Sequence, residues 1–241
     1  MAQYVYGKNV VRQLLKDNKK IYEILLVEGF RDKELEGFVR KSSVTVRTCS
    51  KKKLDQILKT EYHQGIAASI DEYKTYSVEE ILNAIPKGKL PLLLMLDGLE
   101  DPQNLGAILR TCDCIGVDGV IIGKNRSVQL NATVAKTSTG AIDTVKVASV
   151  TNLSRTIQEL KEHGFWVVGA DMDKAVDYRD IQVDVPLLLV IGSEGFGISS
   201  LVKKHCDYMA ALPMIGSVTS LNASVATGIM LYEIYSKRNP R

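Results

Sequence analysis

The chain has 241 residues, of which 45% are hydrophobic and 24% charged, with a formal net charge of +3. That is the balance of a globular chain long enough for one large domain or two smaller ones, and it excludes a disordered, collagenous or disulfide-framework protein. Nowhere does the sequence reach the roughly 18 consecutive apolar residues of a membrane-spanning helix.

Residues 1–73 read as a small α/β unit. Val10, Val11, Leu14 and Leu15 fall at helical spacing, Ile21–Val27 reads as a strand, and a helix fits Lys33–Lys41. Short strands fit Val44–Arg47 and Ile66–Ser69, with Gly65 as the turn into the second. Residues 1–75 carry 15 Lys/Arg against 10 Asp/Glu, a net of +5, whereas residues 76–241 carry 16 against 18, a net of −2. A basic module beside a slightly acidic one suggests that the first half meets a polyanion, although the run Lys51–Lys53 also reads as a plain solvated face. Tyr4, Tyr6, Tyr22, Phe30, Phe38, Tyr62 and Tyr73 are interleaved with the basic residues. Such aromatics can stack on bases, and in a small domain most of them serve as core.

Residues 74–89 read as a linker: a weak helix at Val78–Ile85, then the breaker Pro86-Lys-Gly-Lys89. Residues 90–241 read as a second domain. LPLLLMLDGL, from residue 90, is a continuous apolar run of the kind found in strands covered on both faces. A helix follows at Asn104–Ile115, with Asn104 as its N-cap and Gly116 as its stop. Then come a strand (Gly119–Ile122), a helix (Ser127–Thr137), a strand (Thr144–Val150) and a helix (Asn152–His163). Two strands (FWVVGA and VPLLLVIG), a short helix (Ile198–His205), a short strand (Tyr208–Leu212) and a long helix (Leu221–Arg238) complete it. This alternation predicts a parallel sheet with helices on both faces.

The leader MAQYVYGKNVVRQLLKDNKK has no apolar core with a small-residue cleavage site, so the expected compartment is the cytoplasm. Cys112 and Cys114 form a C-x-C pair, which is not zinc or redox spacing, and no metal is expected. In a parallel sheet, ligands lie just past the strand C-termini. Three loops sit there: Asp97–Gly106 leading to Arg110, Ile191–Gly197, and Leu212–Ser224. Taken singly, each has a plain structural explanation in a helix cap or a tight turn; three at one edge of a sheet point to a ligand pocket. Gly195-Phe-Gly197 opens like a dinucleotide fingerprint, but its third position is Ser200 and no acidic residue follows about 20 positions on. A phosphate loop and a G-x-S-x-G elbow are both missing, which weakens ATPase and hydrolase readings.

The three loops resemble the motifs of the SpoU (TrmH-type) ribose methyltransferases of the SPOUT class. N-L-G-A-I-L-R at Asn104–Arg110 is similar to their first motif, and I-G-S-E-G-F-G at Ile191–Gly197 to their second. L-P-M at Leu212–Met214 with S-L-N-A-S-V-A at Ser220–Ala226 is similar to the third, and K-T-S-T-G-A at Lys136–Ala141 to a segment between them. Y-G-K-N-V-V near the start and H-Q-G-I-A-A at His63–Ala68 resemble the small substrate-binding domain of the RlmB type, enzymes that methylate a guanosine in 23S ribosomal RNA.

The resemblance implies a C-terminal trefoil knot, S-adenosylmethionine as methyl donor, structured RNA as substrate and a homodimer, with neither membrane nor metal involved. It implies a cofactor site at Ile191, Gly192, Glu194, Gly195, Leu212, Met214, Ile215, Leu221 and Ala223. It assigns the chemistry to Asn104, Arg110, Glu194, Ser220 and Asn222, with Arg110 acting on the ribose 2'-hydroxyl. A guanidinium with a pKa above about 12 is a poor base, so gripping a phosphate and stabilising the developing alkoxide is the preferred role, with general base as the alternative. The last helix carries Leu221, Val225, Ile229, Tyr232 and Tyr235 at helical spacing, as core or as a subunit interface. The alternatives are transfer RNA as substrate, or a non-catalytic RNA-binding factor on the same scaffold.

Overall fold

The computed structural model describes residues 2–16 and 19–240; residues 1 and 241, at the ends of the two expected domains, lie outside them. The chain forms two compact units, Met1–Tyr73 and Lys74–Arg241.

The first unit has strands β1 (Ala2–Tyr6), β2 (Ile21–Val27), β3 (Thr45–Cys49) and β4 (Ile66–Asp71), and helices α1 (Lys8–Lys16), α2 (Lys33–Lys41) and α3 (Lys51–Leu58). Its sheet runs β1-β4-β2-β3, with β4 antiparallel to both neighbours and β3 parallel to β2. Small residues let β4 be central: Ile66, Ala67, Ala68, Ser69 and Ile70 are all buried. Two elements escaped the sequence reading. β1 is a short edge strand, and α3 lies under the lysine run, where Ser50 caps the backbone N–H of Lys53 and only Leu54 is buried. His63 is buried before β4. Its Nδ1 accepts the Gly65 N–H at 2.9 Å, so Nε2 carries the proton that meets Asp55 at 2.7 Å.

The second unit contains, in chain order, α4 (Val78–Asn83), β5 (Leu92–Asp97), α5 (Pro102–Ile115), β6 (Gly119–Gly123), α6 (Ala132–Ser138) and α7 (Ala141–Thr144). Then follow β7 (Val147–Val150), α8 (Leu153–Glu162), β8 (Trp166–Ala170), β9 (Val176–Asp177), β10 (Leu187–Gly192), α9 (Ser200–Lys203), β11 (Tyr208–Ala211) and α10 (Ala223–Arg238). The seven strands form one parallel sheet, ordered β7-β6-β5-β10-β8-β11-β9. Both faces are covered. Leu93, Met95, Leu188 and Val190 pack with Ile157 and Leu160 of α8 and Val202 of α9. The alternate residues Leu94, Leu96 and Leu189 are equally buried on the face where α10 meets β10 and α5.

Several boundaries differ from the sequence reading for local reasons. Residues 74–89 do not hang as a linker. Ser77 and Glu80 form a capping box that starts α4, Tyr76 bridges to Ala148, and Ile81 enters the core. Gly119 makes room for it, since a Cβ there would lie 2.6 Å from Ile81 Cγ2. The cap of α5 is Asp101, with Pro102 behind it, which moves Asn104 into the helix. Asn131 caps α6 through the N–H groups of Thr133 and Val134, so the stretch from Ser127 is loop. The expected strand from Thr144 begins only at Val147 because α7 precedes it. Cys112 is buried on α5 while Cys114 is exposed.

Candidate active site

The strand order reverses between β5 and β10: the chain proceeds from β5 to β6 and β7 on one side, and β8, β11 and β9 lie on the other. Such a switch point opens a crevice at the C-terminal ends of the strands. A cavity of about 220 Å³ lies at the same edge of the sheet, on the β8 side of β10, bounded by the ends of β8, β10 and β11 and the first turns of α10. Its walls are mostly apolar or small: Ile191, Leu212, Met214, Leu221 and Met230, with Ala170, Ala210, Ala223 and Ala226 between them.

The turn after β10 is built around a backbone crossing. A Cβ on Gly192 would stand 2.1 Å from the carbonyl carbon of Gly197, a contact no side chain can make. Ser193 and Gly197 exchange both backbone hydrogen bonds, at 3.1 and 2.9 Å. Gly197 has φ +64°, the left-handed region that glycine enters at no steric cost. The result is a closed turn that presents Glu194.

Glu194 is the centre of the polar arrangement. Its Oε1 accepts from Asn104 Nδ2 at 2.7 Å, Asn222 Nδ2 at 2.8 Å and the Ala223 N–H at 3.2 Å. Asn222 Nδ2 also donates to Asn104 Oδ1 at 3.0 Å. Meanwhile Asn222 Oδ1 caps α10, accepting the N–H groups of Ser224 and Val225 at 2.9 and 3.3 Å. Asn104 is 6% exposed, and its amide has both a donor and an acceptor satisfied, as burial requires. Residues 90 and 118 positions apart in the chain thus fix one another.

Of the residues expected at the cofactor, Ile191, Gly192, Glu194, Leu212, Met214, Leu221 and Ala223 line this cavity, and so does Ser220. Gly195 and Ile215 do not. Gly195 faces a second cavity, of about 230 Å³, bounded by Gly98–Asp101, Asn104, Ser193, Glu194 and Phe196. Ile215 is fully exposed, because the chain turns outward after Met214. Arg110 also departs from expectation: it is exposed on α5 and lines neither cavity. Six residues along a helix carry it about 9 Å past Asn104 and about a third of a turn round, away from the face of Leu105, Ile108, Leu109 and Cys112.

The structure adds Asp171, just past β8, to the first cavity. Burial pushes its carboxyl up, but the Lys203 ammonium at 2.5 Å and the backbone N–H groups of Asp173 and Met172 more than offset this and hold it below its usual range. Its sequence signal was an acidic residue ending a parallel strand, in a fourth loop at the same edge. Thr219 and Met230 line the cavity as well; nothing in their local sequence set them apart. Among the described residues, no group of three or more His, Cys, Asp or Glu could hold a metal ion, and no helix is long and apolar enough to cross a membrane.

The model of the SpoU rRNA Methylase family matches residues 91–232, and that for RNA 2'-O ribose methyltransferase substrate binding matches residues 4–76. YacO of Bacillus subtilis, named for the TrmH family of tRNA/rRNA methyltransferases, is 46% identical, covering 98% of this chain and 96% of its own. A TrmH-family relative from Staphylococcus haemolyticus is 48% identical over 98% of this chain and 96% of its own. Among solved structures, the AdoMet-bound rRNA methyltransferase of Sinorhizobium meliloti superposes with a TM-score of 0.66 at 22% identity, covering 100% of this chain and 88% of that one. The SpoU methyltransferase AviRb of Streptomyces viridochromogenes, in complex with AdoMet, gives 0.65 at 22% identity over 98% and 90%. These two likenesses establish the fold; the sequence matches carry the assignment that the chain belongs to the SpoU/TrmH family of RNA methyltransferases.

Proposed function

We propose that the protein transfers a methyl group from S-adenosylmethionine to the 2'-hydroxyl of a ribose in RNA, on a guanosine of 23S ribosomal RNA. The observation that carries this is the junction of Asn104, Glu194 and Asn222, which joins all three motif loops between two adjoining cavities. The lining fits the cofactor. Apolar walls of Leu212, Met214 and Leu221 suit a purine and a thioether chain, and the carboxylates of Asp171 and Glu194 suit a ligand bearing positive charge.

When bound, S-adenosylmethionine supplies a methyl group on a positively charged sulfur, open to displacement by an oxygen nucleophile. The chain's own residues supply position and charge. Glu194 and Ser193 form the wall common to both cavities, so a donor in the first meets an acceptor sugar in the second. Asn104 and Asn222 immobilise the Glu194 carboxylate, and Ser220 orients the acceptor; a preset geometry of this kind removes much of the entropic barrier. Arg110, outside both cavities of its own chain, is assigned to the phosphate beside the acceptor and to the developing alkoxide, in a homodimer whose two subunits both contact the RNA. The dimer is supported by α10, whose stripe of Val225, Ile229, Tyr232 and Tyr235 is 38–49% exposed rather than core. The reading includes a C-terminal trefoil knot, supported by the way the turns after β10 and β11 line one cavity.

The basic first unit supports ribosomal RNA, while the relatives' names leave transfer RNA as the second reading. Mapping 2'-O-methyl sites on RNA from cells with and without the protein decides between them. Arg110→Ala is expected to lower methyl transfer at least about 100-fold while calorimetry shows S-adenosylmethionine bound as tightly as before. Equal loss of cofactor affinity would overturn the assignment of Arg110, and no cofactor binding by the native protein would favour a non-catalytic RNA-binding factor.

A further inference from the structure

Phe196 stands 96% exposed at the tip of the turn after β10. Its place there is fixed, not accidental. The turn is closed by the paired backbone groups of Ser193 and Gly197, and the Phe196 N–H points to Ser193 Oγ at 3.4 Å. At the base of the turn Gly192 lies so close to the Gly197 backbone that a Cβ there would stand 2.1 Å from the Gly197 carbonyl carbon. A large aromatic ring is therefore held in water at the rim of the second cavity, beside Gly195, around which there is open space for an approaching chain.

The second cavity has its own chemistry. Its lining carries the carboxylates of Glu100, Asp101 and Glu194 and no lysine or arginine. Such a surface repels a phosphate and accepts hydrogen bonds from sugar hydroxyls and from the N–H groups of a base edge. It shares Ser193 and Glu194 with the first cavity, so whatever occupies it lies one residue's thickness from the methyl donor. Sequence-specific RNA recognition relies on unstacked bases laid against aromatic side chains, and every base offers a π-face to such a ring.

We propose that Phe196 is a stacking platform for an unstacked base of the RNA, at or next to the acceptor nucleotide, and that the second cavity takes the sugar and base edge of that nucleotide. This rests on the methyl-transfer reading above and deepens it: the substrate is RNA with a base out of its helical stack. Phe196 contacts the acceptor strand and leaves the donor site alone.

The test is incorporation of labelled methyl into total RNA from cells lacking the protein, with calorimetry of S-adenosylmethionine and light scattering run on the same samples. Phe196→Ala is expected to raise the RNA concentration at half-saturation roughly tenfold, with cofactor affinity and oligomeric mass unchanged. Phe196→Trp is expected to restore it and Phe196→Leu is not, because a leucine offers apolar area without a stacking face. Half-saturation unchanged in Phe196→Ala overturns the proposal. Rescue by leucine as good as by tryptophan, or a change in oligomeric mass, also overturns it and makes Phe196 a packing residue. A native protein that neither binds the cofactor nor methylates RNA overturns the reading beneath, an outcome distinct from an active native protein indifferent to Phe196.

Discussion

At the scale of single residues, the site depends on amide groups that do two tasks at once. Asn222 uses its oxygen to cap α10 and its nitrogen to hold Glu194 and Asn104. These tasks separate in Asn222→Asp. A carboxylate is as good a helix cap as an amide, so the cap survives, but the two donated bonds are lost and a second negative charge faces Glu194. We expect methyl transfer to fall at least about 100-fold. Asn222→Ala loses cap and donors together and adds a destabilisation of about 1 kcal/mol, read as a lower thermal midpoint than Asn222→Asp. Activity retained in Asn222→Asp would show that the amide is there only for the helix. Asp171 gives a pH dependence with a definite sign. Its folded-state pKa is lowered, so its stabilising pairing with Lys203 is fully present above the ordinary carboxylate range and is lost as pH falls through the lowered value. Cofactor affinity measured by calorimetry should therefore be flat from neutral pH down to about pH 5 as far as this group is concerned, and Asp171→Asn should weaken binding throughout that range.

At the scale of elements, the sequence was most legible where one physical signal stood alone. The apolar runs of β5 and β10 announced strands covered on both faces, and Gly116 closed α5 in the left-handed region at φ 73°. Legibility failed where two signals competed. Lys51–Lys53 read as a charge run, yet Ser50 and Leu54 suffice to make a helix of it. Pro86-Lys-Gly-Lys89 read as a break between domains, although Ile81 had already crossed into the second core. In the site, the motif loops identified Glu194 and Asn104 but not their mutual bonding, because pairs 90 residues apart leave no periodic trace. Arg110 was placed by motif alone, and helix geometry took it off the cavity. Gly192 is the element-scale test. A Cβ added there would lie 2.1 Å from the Gly197 carbonyl carbon, so Gly192→Ala must pry open the turn after β10, since the opposing atoms are main chain and cannot rotate aside. We expect cofactor affinity to fall at least tenfold in calorimetry, with the sheet intact by far-ultraviolet circular dichroism. Unchanged affinity would show that the closed turn does not shape the donor cavity.

At the scale of the whole molecule, two exposed surfaces give tests of the proposed partners. The exposed stripe on α10 is apolar and regular, with Tyr232 and Tyr235 ring centroids 6.3 Å apart in an edge contact. Ile229→Asp places a charge in its middle, and light scattering at micromolar concentration should then read one chain's mass where the native protein reads two; a native protein already monomeric would end the dimer reading. The other surface is basic. Lys51, Lys52 and Lys53 occupy the first turn of α3, all exposed, with no acidic residue in that turn. The N-terminal end of a helix carries a partial positive charge, so cations there cost stability where anions would add it. A placement that works against the helix is explained if a polyanion supplies the missing negative charge. Each phosphate neutralised contributes about 0.7–0.9 to the slope of log affinity against log salt. Replacing the three lysines by alanine should therefore weaken RNA binding at low salt and flatten that slope by about 2, while raising the stability of α3 slightly because the unfavourable charges are gone. A slope unchanged by the triple substitution would mean that the lysines are only a solvated face, and that the polyanion meets the first unit elsewhere.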